Sequence, residues 1–167
     1  MAQQTFLPTI PPSTGVYSWR PLTREDGPAL HTMLLAAQAV DQPGWISTLE
    51  ERENDFNDPA THIATGSLVA VLPSGEFAAV AWIFAPPDNG MENVAAYFFN
   101  VHPNHRDQGL EDIAVRWMEA RATQILRERQ NGLPNHLRVW VYDRLTQYAD
   151  LFSRHGYAPV RHNYTMR

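Results

Sequence analysis

The sequence predicts a single α/β (α+β) domain built on a mixed, mostly antiparallel twisted sheet with helices on both faces, and three observations carry that expectation. The 167 residues, 44% of them apolar, make one ordinary domain with a substantial core. Two β-rich runs, LVAVL (Leu68–Leu72) and FAAVAWIFA (Phe77–Ala85), are joined tightly enough by ProSerGlyGlu at 73–76 to be a hairpin. The second half alternates strand, helix, strand, helix, strand, which puts helices against a sheet on both sides.

Each element has a local reason. Residues 1–15 carry Pro8, Pro11 and Pro12 and end in SerThrGly, the composition of an extended arm, so the domain is expected to span 16–167. VYSWR (Val16–Arg20) alternates like a short strand that Pro21 stops. Thr23 with Glu25 and Asp26 starts a helix that carries Leu30, Met33, Leu34 and Ala37 on one face. AspGlnProGly at 41–44 breaks it, and a polar helix runs from Ser47 to about Phe56 before AsnAspPro. In the hairpin, Phe77–Ala85 is apolar on both faces, as a central covered strand must be.

Beyond the turn at 86–90, VAAYFFNV (Val94–Val101) is a strand ended by Pro103. From Leu110 the positions Leu110, Ile113, Ala114 and Trp117 keep helical spacing, and the helix reaches about Arg129 before AsnGlyLeuPro. HLRVWVY (His136–Tyr142) is a strand, Thr146–His155 a short helix with Gly156 at its C-terminal end, and YAPVRHNYTMR a last strand. The expected order is therefore β α α β β β α β α β.

Composition narrows the function classes. Thirteen Lys and Arg against eighteen Asp and Glu leave a net charge of −5 and no basic run, which argues against a nucleic-acid partner. The absence of Cys removes disulfides, thiolate metal sites and a Cys nucleophile together. The N-terminus lacks the basic start and apolar run of a signal peptide, and the longest apolar run, Phe77–Ala85, is too short to cross a bilayer. The expectation is a cytoplasmic protein without membrane attachment.

Three local patterns together point to a family. The strand VAAYFFNVHP is followed by ArgAspGlnGlyLeuGlu at 106–111 and then a helix; LeuPheSerArgHisGlyTyr stands at 151–157; and ArgProLeuThrArgGluAspGlyProAlaLeu opens at Arg20. In that order and spacing they resemble the GNAT (Gcn5-related) N-acetyltransferases, over nearly everything from Val16 onward. The physics of the first pattern is independent of the family. Unpaired amides at a helix N-terminus sit at the positive end of its dipole and offer an anion site, which a glycine lets an anion approach closely.

The resemblance implies an acetyl-CoA-dependent N-acyltransferase acting on a small-molecule amine. The amides near Gln108, Gly109 and Leu110, with Arg106, would meet the pyrophosphate, and the pantetheine arm would lie along the strand ending at Val101, opposite His136–Tyr142. Glu111 stands where the family closes its motif with Gly or Ala, and Asp107 where a Gly is frequent. A Glu111 carboxylate ~5 Å from a phosphate would repel it by about 3 kcal/mol at an effective dielectric near 20. If instead Glu111 and Asp112 are helix-dipole acids, each stabilises the first turn by ~0.3–1 kcal/mol. Either way the anion site is weakened.

Catalytic positions depart as well. A Glu that often serves as base on the strand before the loop is matched by Ala95, and the family's Tyr that protonates the leaving thiolate is matched by Phe152, which has no proton to give. Tyr148 lies one helical turn before Phe152 and is a candidate to take over the acid role, with Tyr142 and Glu92 as further candidates; the alternative for each is an ordinary half-buried Tyr or a solvated loop Glu. His102 and His105 have an H-x-x-H spacing, but Pro103 breaks any helix and no third ligand is evident, so no metal site is expected. His105, next to Arg106, could touch a CoA phosphate. Trp45, Trp82, Tyr97, Phe98 and Phe99 divide between pocket lining and core, with core favoured for Trp82 and one face of Val94–Val101.

A second reading is a degenerate, non-catalytic GNAT domain serving as a structural or partner-binding module, like the diverged half of a tandem GNAT protein. Neither the acceptor amine nor an oligomeric state is specified, and the sequence leaves room for a homodimer.

Overall fold

The computed structural model describes residues 7–43 and 48–162. Five strands, β1 (Ser18–Arg20), β2 (Ser67–Val71), β3 (Phe77–Phe84), β4 (Asn93–Val101) and β5 (Asn135–Val139), lie in that order in one sheet. The first three neighbour pairs are antiparallel and the β4–β5 pair is parallel, so the sheet is mixed and mostly antiparallel, as expected. The helices are α1 (Gly27–Asp41), α2 (Leu49–Asn57), α3 (Ile63–Gly66), α4 (Leu110–Glu128) and α5 (Thr146–Arg154).

Two apolar layers sandwich the sheet. On one face Leu30, Met33 and Leu34 of α1 and Phe56 of α2 bury against Val69, Val80 and Trp82. On the other, Leu110, Val115, Met118 and Leu126 of α4 with Leu151 and Phe152 of α5 bury against Ala81, Ile83, Ala95 and Tyr97. β3 has only its last residue partly exposed because helices cover it on both sides, which is why its sequence does not alternate. Trp82 is core, as expected.

Several boundaries differ from the sequence expectation. Thr23 opens a 3-10 turn, Arg24–Asp26, ahead of α1; the Asp26 carboxylate accepts from the Thr23 amide at 2.7 Å and from both Arg20 guanidinium nitrogens at 2.6 and 2.8 Å. The polar helix starts at Leu49 with Thr48 as its cap, whose hydroxyl accepts from the Glu51 amide while the Glu51 carboxylate accepts from the Thr48 amide. Ser47 and Trp45 lie outside the described residues. The short turn α3 was not anticipated; no apolar period announces four residues held by Thr61–Gly66 backbone bonds.

The C-terminal third carries two corrections. β5 was expected to run to Tyr142 but ends at Val139, although Trp140, Val141 and Tyr142 are good strand formers. Residues 157–162 form no strand, and 163–167 of the expected last strand lie outside the described residues. Strand propensity reflects how a side chain fits a pleated surface, and among the described residues these segments meet no neighbouring strand to pair with.

A buried asparagine ties the strand and helix ends together. The Asn93 side-chain amide donates to Asn131 Oδ1 at 2.8 Å and Asn135 Oδ1 at 2.9 Å, while its oxygen accepts from Asn131 at 3.0 Å. Arg129, just past α4, donates to the carbonyls of Ala85 and Pro86. The knot thus joins the exit of β3, the start of β4, the end of α4 and the start of β5. Asn93→Leu strands these partners, and the expected loss is ~1–3 kcal/mol, read as a lower midpoint in urea with an unchanged m-value.

Candidate functional site

The site grows from the way β4 loses its second neighbour. β4 pairs with β3 along Ala96–Val101, but with β5 only from Asn93↔Asn135 to Tyr97↔Val139. The His102 amide donates to Ala78 O, so alternation along the antiparallel ladder turns the amide groups of Phe99 and Val101 away from β3. Past Tyr97 they face a gap between β4 and the chain leaving β5. Backbone groups facing such a gap accept an extended ligand as a missing strand would.

At the end of β4 the chain passes a 3-10 turn at Pro103–His105 and enters α4 through Asp107 (φ 60°) and Gly109 (φ 79°). The left-handed Gly109 is the residue preceding the first turn, where a side chain would be strained and would crowd the approach to the helix amides. A cleft of about 450 Å³ opens here, lined on one side by Arg106, Asp107, Gly109, Glu111 and Asp112. Its other wall is α5, through Gln147, Tyr148, Leu151 and Arg154. Spacings of three and four residues put these on one helical face. Sequence reasoning found Tyr148 but missed Gln147 and Arg154, although that spacing was available to find them.

The chain's own groups partly satisfy this anion-binding geometry. Glu111 Oε1 accepts from the Asp107 amide at 3.2 Å, so the carboxylate turns back onto the loop. Asp112 bonds His155 Nε2 at 3.0 Å, and Glu119 meets the other ring nitrogen at 3.2 Å, fastening the end of α5 to α4. Both first-turn acids therefore have partners within the protein.

Arg106 is held from behind. Its Nη2 lies 2.8 Å from Asp41 Oδ2 at the end of α1, its Nε donates to Val101 O at 3.3 Å, and its guanidinium sits 5.8 Å from the Tyr148 ring centroid. Burial disfavours its charge, but the Asp41 carboxylate and the Tyr148 neighbour outweigh this and hold its pKa above the usual arginine value. The pair fixes the cation at the cleft wall while committing part of its charge to Asp41.

Tyr148 is 6% exposed, and its hydroxyl has no hydrogen-bond partner among the described residues. Burial pushes its pKa up to about 12, with Arg106 pulling the other way. It therefore keeps its proton at neutral pH.

The remaining sequence candidates disperse. Val101 and Leu110 are fully buried, Val101 with its carbonyl on Arg106 and Leu110 with its side chain in the core. Gln108 is exposed in the turn and is not part of the cleft lining. Tyr142 lies between β5 and α5, its carbonyl accepting from the Leu145 amide, and does not line the cleft. Glu92 sits beyond the opposite end of β4, 2.7 Å from Arg138 and 3.6 Å from His136. Ala95 and Phe152 are core. The His102 and His105 rings are 5.5 Å apart, and His105 Nδ1 is bonded to the Tyr17 hydroxyl at 3.0 Å.

Two outcomes are expected from these contacts. Asp41→Ala leaves a largely buried Arg106 charge unpaired, and the loss is about 3 kcal/mol, the low end of the usual range because Arg106 borders the cleft; thermal or chemical denaturation measures it. Tyr148→Phe removes no internal hydrogen bond and changes stability by less than ~0.5 kcal/mol. The raised pKa of Tyr148, and of Tyr157 at about 12, favours the neutral phenols in the fold. Their contribution is complete below the unfolded value near 10 and is lost between pH 10 and about 12, visible as late phenolate absorbance with falling stability.

With this geometry the comparisons with known proteins agree. No family model matches the sequence. A mycothiol acetyltransferase of Pseudarthrobacter chlorophenolicus is 33% identical over 93 residues, 55% of this chain and 24% of that protein. Among solved structures, a GCN5-related N-acetyltransferase from Sphaerobacter thermophilus superposes with a TM-score of 0.69 at 24% identity, covering 92% of this chain and 46% of that one. An aminoglycoside acetyltransferase from an uncultured soil metagenomic sample, in complex with sisomicin, gives 0.60 at 19% identity, covering 91% and 97%. This chain thus spans about a quarter of the first protein and under half of the second. Among the described residues no helix is long and apolar enough to cross a membrane. In architecture, from the diverging β4 and β5 to the turn that opens α4, the chain has the GNAT fold.

Proposed function

We propose that this domain is an acetyl-CoA-dependent N-acyltransferase that acetylates a primary amine. The observation that supports this most is the cleft at the start of α4, where Gly109 and the first-turn amides stand between Arg106 and Arg154 at the end of the gap beside β4. In this reading the amides near Gln108, Gly109 and Leu110, with Arg106, take the pyrophosphate. The pantetheine arm runs along the Phe99 and Val101 amides. Glu111 must swing off the Asp107 amide for the phosphates to approach.

The chemistry asks little of acids and bases. The amine nitrogen attacks the thioester carbonyl, the C–S bond breaks, and the thiolate takes a proton, from Tyr148 or from water, while the ammonium loses one to water. Tyr148 is the candidate acid because it lines the cleft and carries a proton at neutral pH, although burial makes it a weaker donor than an ordinary phenol. Tyr142 lacks comparable support. Positioning an already nucleophilic amine supplies much of the rate, so the absence of carboxylates at Ala95 and of a hydroxyl at Phe152 slows the reaction without abolishing it.

One set of contacts favours a second reading, a domain that has given up cofactor binding and serves as a structural or partner-binding half of a longer protein. Glu111 closes on the loop, Arg106 is spent on Asp41, and the chain covers 46% of its Sphaerobacter counterpart. Calorimetric titration with acetyl-CoA separates the two. Micromolar binding by the wild type, tightened about tenfold or more in Glu111→Gly as a like charge is removed, is the expected result. Absence of binding in both proteins overturns the enzyme reading, and binding only in Glu111→Gly favours the retired domain.

A further inference from the structure

One titratable side chain that the proposed chemistry does not use is enclosed between two carboxylates. His155 stands at the C-terminal end of α5 with its side chain only 10% exposed. Its Nε2 lies 3.0 Å from Asp112 Oδ1 and its Nδ1 3.2 Å from Glu119 Oε2, so each ring nitrogen meets its own acid. A neutral imidazole has one N–H and one lone pair; it can donate to one of these acids and must turn its lone pair on the other. The imidazolium donates to both. The two contacts are therefore complete only when the ring is charged.

The other charges nearby are fixed. Arg116 shares the α4 stripe between the two acids, and Arg154 precedes His155 and faces the cleft. Tyr157, just beyond, stays neutral because burial pushes its pKa up to about 12. Carboxylates and guanidiniums hold their charge around neutral pH, whereas an imidazole changes its own.

The place of this bridge gives it a consequence. Asp112 lies in the first turn of α4 and is itself part of one cleft wall, while α5 supplies the other through Tyr148, Leu151 and Arg154. The charged ring thus clamps one wall to the other and sets a positive charge against a carboxylate that would otherwise oppose an anion there. We propose that His155 is a proton-dependent positioning residue of the cleft: charged, it holds α5 on α4 and offsets Asp112, so that the site takes a pyrophosphate more tightly at mildly acidic than at mildly alkaline pH. This rests on the reading of the cleft as the pyrophosphate site and adds its regulation. Loss of the proton breaks one contact and leaves Asp112 uncompensated in the wall.

Two measurements test it. Imidazole NMR is expected to show both His155 nitrogens protonated at about pH 6, with the titration moving to lower pH in Asp112→Asn and in Glu119→Gln, as removal of a facing negative charge requires. Calorimetry uses acetyl-CoA and dephospho-CoA, the latter because its pyrophosphate diester keeps its charge across the range. Wild-type affinity for dephospho-CoA is expected to fall about fourfold from about pH 6 to about pH 8, the effect of one charge ~10 Å away at an effective dielectric of about 40. The fall is expected to be absent from His155→Gln, and since His102 and His105 are present in both proteins, the difference belongs to His155. Asp112→Asn separates charge from bracing: it is expected to bind at about pH 8 as tightly as the wild type does at about pH 6. A titration indifferent to both acid variants, a pH profile shared by wild type and His155→Gln, or weakened binding by Asp112→Asn at both pH values overturns the inference and leaves the acyltransferase reading intact. Absence of binding by either ligand at both pH values overturns the pyrophosphate reading itself, and the inference with it.

Discussion

Strand β4 has two neighbours along its first half and one along its second, and the functional geometry follows from that asymmetry. Parallel pairing with β5 ends at Tyr97 and Val139, while antiparallel pairing with β3 continues to Val101. Unpaired backbone amides inside a protein are costly, so a sheet that opens in its interior needs another partner there. Here the partners come from the chain around the opening. Arg106 reaches back to the Val101 carbonyl, and the aromatic side chains of α5 fill the space below Phe99, with Tyr148 and Phe152 packed edge-on against its ring. The gap is a place inside the sheet where an extended ligand can add hydrogen bonds without displacing a strand.

The electrostatics around the opening are poised between binding an anion and replacing one. A left-handed glycine, a helix start and two arginines compose the proposed anion site, while Glu111 and Asp41 draw on the same amides and cation. The two carboxylates act differently. Glu111 is on the exposed side of the loop, held by a single 3.2 Å bond to an amide, and can be displaced at modest cost. Asp41 is 7% exposed and ion-paired, so it fixes Arg106 in place rather than competing with a ligand freely. Its second function is architectural, because it couples the end of α1 to the turn that begins α4.

Much of the fold was legible because its signals are local. The two-sided apolar run of β3, the 3.6-residue period of α4, and Gly156 at φ 86° after α5 each follow from backbone geometry and burial within a short window. The turn at 106–111 and Tyr148 were legible for the same reason, as a strand-to-helix junction and a helical-spacing neighbour of Phe152. What was not legible depended on partners distant in the chain. Trp140–Tyr142 read as strand and are not, since whether a segment pairs is decided by its neighbour. Arg106 was expected at the phosphate turn, and its ion pair with Asp41, 65 residues earlier, was not legible.

By itself, the sequence determined the longer helices and the strands up to β4, which faces are apolar, and that a glycine-led helix start follows the longest strand, because these are fixed by periodicity and by the conformational limits of single residues. Only the tertiary structure decided where β4 and β5 part, which carboxylate faces which cation, and that Trp82, Phe98 and Trp140 line up into one ladder. Those contacts span dozens of residues, and their geometry arises from packing two helical layers on a twisted sheet, a constraint that no short window of sequence contains.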